Sequence, residues 1–172
     1  ENFLPAYTQG DNSNVVATDS MKNFILRHAL TCDGSTLEGF LEVLGHQFLA
    51  TYPEMESLRM TGRELAFRPA QVPQESQAQF GNSNVLFVRS LDDYGTASMD
   101  FAYDGGSTKI TDHRCGRVGM HLFKVTGSAF THFVRDNYTT LPERGDRPLY
   151  IYLDIFWKYN DPADMQAHYV PS

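Results

Sequence analysis

Cysteine is nearly absent: Cys32 and Cys115 are the only two in 172 residues. Two thiols cannot build a dense disulfide scaffold, so the chain reads as cytoplasmic. No apolar run reaches the roughly eighteen residues that a membrane-spanning helix needs, which excludes a membrane partner of that kind. Basic residues are scarce, with 14 Lys and Arg against 21 Asp and Glu and a net charge of −7. That balance disfavours a nucleic-acid partner. No phosphate loop and no dinucleotide fingerprint occurs. The six histidines, at 28, 46, 113, 121, 132 and 168, form no His-x-x-x-His pair. Asp112-His113-Arg114-Cys115 is the one local cluster that resembles a metal fragment. Zinc needs about four ligands, or three and a water, so the cluster reads as incidental polar residues in a loop. A Cys–His nucleophile pair has no support in the spacing, though spacing alone does not exclude it.

What is present is a globular composition, 41% apolar and 20% charged, with 13% aromatic residues. The length suits one domain with its own core. The chain opens Glu1-Asn2-Phe3-Leu4, without Met and already extended and apolar by residue 3. It closes through Asn160-Asp161-Pro162-Ala163-Asp164, which reads as a connector. The expectation is a piece of a longer protein, with residues 1–159 as one domain and 160–172 as a linker.

Residues Asn14 to Ala17 read as the end of a strand. Thr18 or Asp19 then caps a helix whose apolar residues Met21, Phe24 and Ile25 recur at spacings of three and four. Gly34 ends that segment. Ser35 and Glu38 form a capping box for a second helix with the stripe Leu37, Phe40, Leu41, Leu44, Phe48 and Leu49, stopped by Pro53. Beyond it the pattern predicts strands: Ser57 to Phe67, Val85 to Val88, Met99 to Tyr103, Lys109 to Thr111 and Arg117 to Thr126. Pro69 to Asn84 reads as an exposed loop, and Asp104-Gly105-Gly106 as a hairpin turn. Leu149 to Trp157 alternates most clearly, and its second face is aromatic too. The sum is an α+β layer pair, an antiparallel sheet with two consecutive helices on one face.

Two places could carry chemistry. A Thr18-Asp19 pair opening a helix has free backbone amides that favour an anionic ligand, and the hydroxyl can relay a proton. A plain N-cap is the simpler account. The connection from Gly127 to Arg147 holds Arg135, Arg144 and Arg147 against the acidic balance of the chain. An arginine fork suits a planar ligand, and Phe130 could stack on one, unless it is a core residue.

Those residues carry a resemblance. Asp11-Asn12-Ser13 and the run Val15 to Ile25 resemble the strand-to-helix motif of the uricase (urate oxidase) family. Phe133 to Glu143, followed by Asp146-Arg147-Pro148-Leu149, resembles its segment leading to a substrate arginine, and Thr36 to Leu41 is similar to bacterial members. The resemblance implies the tunnelling fold (T-fold), with two such domains per chain and a homotetramer whose active sites lie at subunit interfaces. It implies oxidation of urate by O₂ and water to 5-hydroxyisourate and H₂O₂, with no metal and no organic cofactor. Arg147 would clamp urate and Phe130 would stack on it. Thr18 would join the proton relay, and the backbone amide of Asp19 would meet the five-membered ring.

The family's activating Lys precedes the point where this chain begins, and its Gln, Asn and His follow the point where it ends. Lys22, His132 and His168 do not replace them. The expectation is that this piece alone carries only part of the site and is inactive. The alternatives are an inactive uricase-like assembly protein, or a purine- or pterin-binding T-fold enzyme of different chemistry.

Overall fold

The computed structural model describes residues 3–32, 36–74, 79–89, 92–104 and 106–166. In chain order these form α1 (Leu4–Thr8), α2 (Thr18–Ala29), α3 (Leu37–Thr51), β1 (Ser57–Glu64), β2 (Arg68–Pro73), β3 (Phe80–Val88), β4 (Tyr94–Asp104), β5 (Ser107–Lys124), β6 (Leu149–Trp157) and a 3₁₀ turn at Pro162–Gln166. A four-stranded sheet has the order β1-β4-β5-β6, and β2 and β3 form a separate two-stranded ribbon. The predicted α+β class with a T-fold-like antiparallel sheet and paired helices is the observed one. No helix among the described residues is long and apolar enough to cross a membrane.

The chain divides into two compact units: residues 1–64, 95–116 and 156–172, and residues 65–94 and 117–155. In the first, β1 runs antiparallel to β4, from Ser57 opposite Ala102 to Glu64 opposite Gly95. Alternation places Ala97, Met99 and Phe101 on the inner face of β4, each at most 1% exposed. Helix α3 covers that face with Leu41 and Leu49, and Leu44 and Phe48 are buried too; all four belong to the stripe predicted from spacing. Cys115 and Met165 complete this core. Each fully buried side chain of this size contributes about 1.5–3 kcal/mol relative to exposure.

Close approach matters at Gly45, on the buried side of α3. A Cβ there would lie less than 3.0 Å from three carbons at the tip of the Phe101 ring. Glycine in mid-helix costs about 1 kcal/mol relative to alanine, so its presence reflects contact rather than propensity. Outward residues of the same strands are polar or charged. Arg59 donates two hydrogen bonds of 2.6 Å to the carboxylate of Asp100 directly opposite.

In the second unit, β2 and β3 pair antiparallel with a register shift between Pro69 and Gln71. The loop expected from Pro69 to Asn84 is therefore a ribbon in its described part. Most of its side chains are exposed, Ala70 and Ser83 apart, so no apolar alternation was needed, and Pro69 and Pro73 sit close to the two ends of β2. Residues 75–78 lie outside the described residues.

Other boundaries also moved. Residues 13–17 form a turn and irregular backbone rather than a strand end, because the Asp11 carboxylate accepts the Ser13 N–H at 3.0 Å and Val15 N–H bonds to Asn12 O. The expected extended start at Phe3 is the entry to α1, with Pro5 in its first turn. The strand expected to reach Phe67 stops at Glu64. The two strands expected at 109–111 and 117–126 are one, β5, in which Asp112 and Arg114 face outward while His113 and Cys115 between them are buried. The cap of α3 is Thr36, whose hydroxyl accepts the Gly39 N–H at 3.0 Å. Ser35, Gly34 and Gly105, named in the capping box, helix end and hairpin turn, lie outside the described residues.

Gly45→Ala is expected to destabilise the protein by about 1–3 kcal/mol despite the better helix propensity of alanine, because Phe101 has no room to move. The urea midpoint measures this, and a raised midpoint would refute the close-packing account.

Candidate functional site

The two regions singled out by sequence belong to different units, and each is taken separately. In the first unit, Thr18 and Asp19 are the first two residues of α2, not its cap. The cap position is Ala17, with no side-chain cap hydrogen bond. The capping expectation fails because both side chains already lie within the helix. The first-turn amides have no acceptor inside the helix, which keeps them available to an acceptor from outside. The Asp19 carboxylate turns back along α2 and accepts from the Asn23 amide at 2.9 Å. Both Thr18 and Asp19 are exposed.

In the second unit, the connection from Val125 to Pro148 has almost no regular structure and is held by polar bonds. Phe130 and Arg144 exchange backbone hydrogen bonds of 2.9 and 3.1 Å. Asp136 accepts the Tyr138 N–H and the Thr139 hydroxyl, both at 2.9 Å. Asp146 accepts the Thr126 hydroxyl, the Ser128 N–H at 3.1 Å and the Arg147 N–H at 2.9 Å. His132 has φ of 56°, an uncommon left-handed conformation for a residue with a Cβ, and its N–H reaches Glu143.

This scaffold brings Phe130 and Arg147 together. The Arg147 guanidinium carbon lies 5.9 Å from the centre of the Phe130 ring. Phe130 stacks on Phe133, with ring centres 4.7 Å apart and planes 11° apart, and Arg135 lies 5.0 Å from Phe133 on its own account. Phe130 is 42% exposed, so the core reading of this residue is overturned. A flat aromatic platform beside a planar cationic fork is suited to a flat, anionic heterocycle. Sequence reasoning missed Phe133 and Asp146. The legible signal was the Asp-Arg dipeptide closing a turn-rich segment, but its partner Thr126 is twenty residues away in the chain.

Hydrogen bonding holds both loop carboxylates below the ordinary value of 3.8. The leading cause is the Thr126 hydroxyl for Asp146 and the Tyr138 N–H for Asp136.

The Asp112-to-Cys115 cluster is strand, not loop. His113 accepts the Tyr159 N–H at its Nε2, 2.9 Å away, and Asp112 pairs with Lys158 at 2.5 Å. Cys115 is fully buried, and burial together with the charge of Glu38 pushes its thiol up to about 12. It is a core side chain, not a nucleophile.

The uricase family model matches residues 1–97 and 113–170. The chain belongs to the uricase family. It is 49% identical to the uricase of Haloferax volcanii, over all of this chain and 57% of that protein. It is 41% identical to the uric acid degradation bifunctional protein PucL of Bacillus subtilis, over 97% of this chain and 33% of that protein. The crystal structure of a uricase from Bacillus fastidious superposes with a TM-score of 0.78 at 42% identity, covering 96% of this chain and 52% of that one. The chain thus spans between a third and just over half of the proteins it matches. The expected likeness to bacterial members holds, and an archaeal relative matches equally fully.

Two outcomes follow. At about pH 8 an alkylating reagent should label Cys32 in the folded protein but reach Cys115 only on unfolding; equal native labelling would contradict its burial. The lowered carboxylates also set a sign. Their stabilisation is fully present above the ordinary value of 3.8 and is lost as pH falls through the lower folded values. Acidification from about pH 5 to about pH 3 should therefore lower amide-exchange protection at Ser128, Tyr138 and Arg147 before it does so in α3.

Proposed function

We propose that this chain carries the Phe130–Arg147 half of a urate site in a cofactor-independent urate oxidase. The reaction converts urate, O₂ and water to 5-hydroxyisourate and H₂O₂. The observation that carries the reading is the pairing of an exposed aromatic ring with a free arginine fork, inside the segment that the uricase family model matches. Among the described residues, Arg147 takes part in no salt bridge, which leaves its donors for a ligand.

In this reading Arg147 gives two charge-assisted hydrogen bonds to the urate anion and Phe130 stacks against its rings. The Thr18 hydroxyl joins the proton relay. The Asp19 backbone amide, at the positive end of α2, binds the five-membered ring. Both would act in the pocket of a neighbouring subunit, so the working form is a homo-oligomer, and a tetramer by family likeness. Urate is electron-rich, and its anion can pass electrons to O₂ in single steps, with no metal or organic cofactor. The tasks left to the protein are to hold the anion, remove a proton and stabilise charge. A cytoplasmic setting belongs to the same proposal, and free Cys32 and Cys115 support it.

The test is urate-dependent O₂ uptake, with peroxide detection, by the full-length protein containing this chain. Arg147→Ala should raise KM for urate about a hundredfold or more, the loss expected for two charge-assisted bonds. Unchanged saturation and turnover would sink the assignment.

A further inference from the structure

We propose that Asp146 is a positioning residue that presets Phe130 and Arg147 for a flat anionic ligand; this deepens, and rests on, the urate-site reading above. Asp146 is placed to hold both members of the pair. One carboxylate oxygen accepts the N–H of Ser128, two residues before Phe130, and the N–H of Arg147 itself. The other accepts the hydroxyl of Thr126. A single side chain therefore ties the approach to the stacking ring to the backbone of the clamping arginine. The Phe130–Arg144 bridge closes the same segment from its other side.

The turn between these anchors is built to match. Gly127 has φ of 76°, and its carbonyl accepts the Lys124 ammonium at 2.7 Å. That conformation lets the Thr126 hydroxyl and the Ser128 N–H converge on one carboxylate.

The direction of the carboxylate matters as much as its bonds. It accepts from the Thr126 hydroxyl and from backbone amides, those of Ser128 and Arg147 among them, not from the guanidinium of its neighbour. An Asp beside an Arg could have neutralised it. Here the acid is occupied by the loop, and the fork stays free for an anion. No atom of Asp146 is assigned to the ligand, so its effect passes through Arg147 and Phe130. Misplacement by about 1 Å is enough to cost a site of this kind up to about a hundredfold.

The experiment uses the full-length enzyme and measures urate binding without O₂, which separates affinity from turnover. Arg147→Ala and Phe130→Ala first test the site itself. Asp146→Ala should then weaken urate binding about tenfold. Asp146→Asn should bring it back to within about threefold of the parent, because an amide oxygen still accepts the Ser128 and Arg147 N–H groups. Thr126→Val, which removes one anchor only, should weaken binding about threefold. If Arg147→Ala binds urate like the parent, the site reading falls and this proposal falls with it. If Arg147→Ala loses urate while Asp146→Ala and Thr126→Val bind normally, the proposal alone is overturned. Should Asp146→Ala fail to fold, Thr126→Val decides: normal affinity refutes the positioning role, and the threefold loss supports it.

Discussion

The close seating of α3 on the inner face of β1 and β4 is the contact on which the first unit depends. Gly45 lets the helix approach until the Phe101 ring fills the space a Cβ would take. Leu41 and Leu49 then bury against Ala97, Met99 and Phe101. With that interface made, the remaining inner positions have little choice. Cys115 becomes a silent core thiol, and His113 turns its Nε2 to a backbone amide rather than to a metal or a substrate. The outer positions of the same strands can then be charged, and Arg59 and Asp100 pair across β1 and β4.

The loop from Thr126 to Arg147 is organised by a different force. Almost nothing in it is buried, so hydrophobic burial does not hold its shape. Carboxylates do: Asp136 and Asp146 each collect hydrogen bonds from backbone amides and a threonine hydroxyl. This is an economical way to present Phe130 and Arg147 to a ligand. A buried loop would hide the ring and the fork, whereas an exposed loop without such ties would leave their spacing undefined. The same logic explains the left-handed His132, a local cost of about 1–3 kcal/mol in the chain segment that joins the stacked Phe130 and Phe133.

Local sequence was informative where periodicity and burial agree. The stripe of α3 and the alternation of β6 were legible because one face of each repeats at the period of its element. The two-helix, antiparallel α+β class followed from them. Of the ribbon of β2 and β3 only Val85 to Val88, the end of β3, was legible; Arg68–Pro73 and the start of β3 carry no dense apolar row to betray them. The unity of β5 was hidden for a related reason: Asp112 and Arg114 point away from the core but look, in sequence, like a break.

At the site, the sequence by itself determined the residue types and the family: the Thr18-Asp19 pair at a helix start, and Phe130 and Arg147 in a turn-rich stretch with arginines. The tertiary structure alone decided that Thr18 and Asp19 lie within the helix rather than cap it, and that Phe130 is exposed rather than buried. It also decided that Asp146 faces Thr126 and Ser128. The physical reason is range. Helix periodicity and residue chemistry are written within a few neighbouring positions, whereas the pairing of Asp146 with Thr126 is set by how a chain folds back over a separation of twenty positions, which no local pattern encodes.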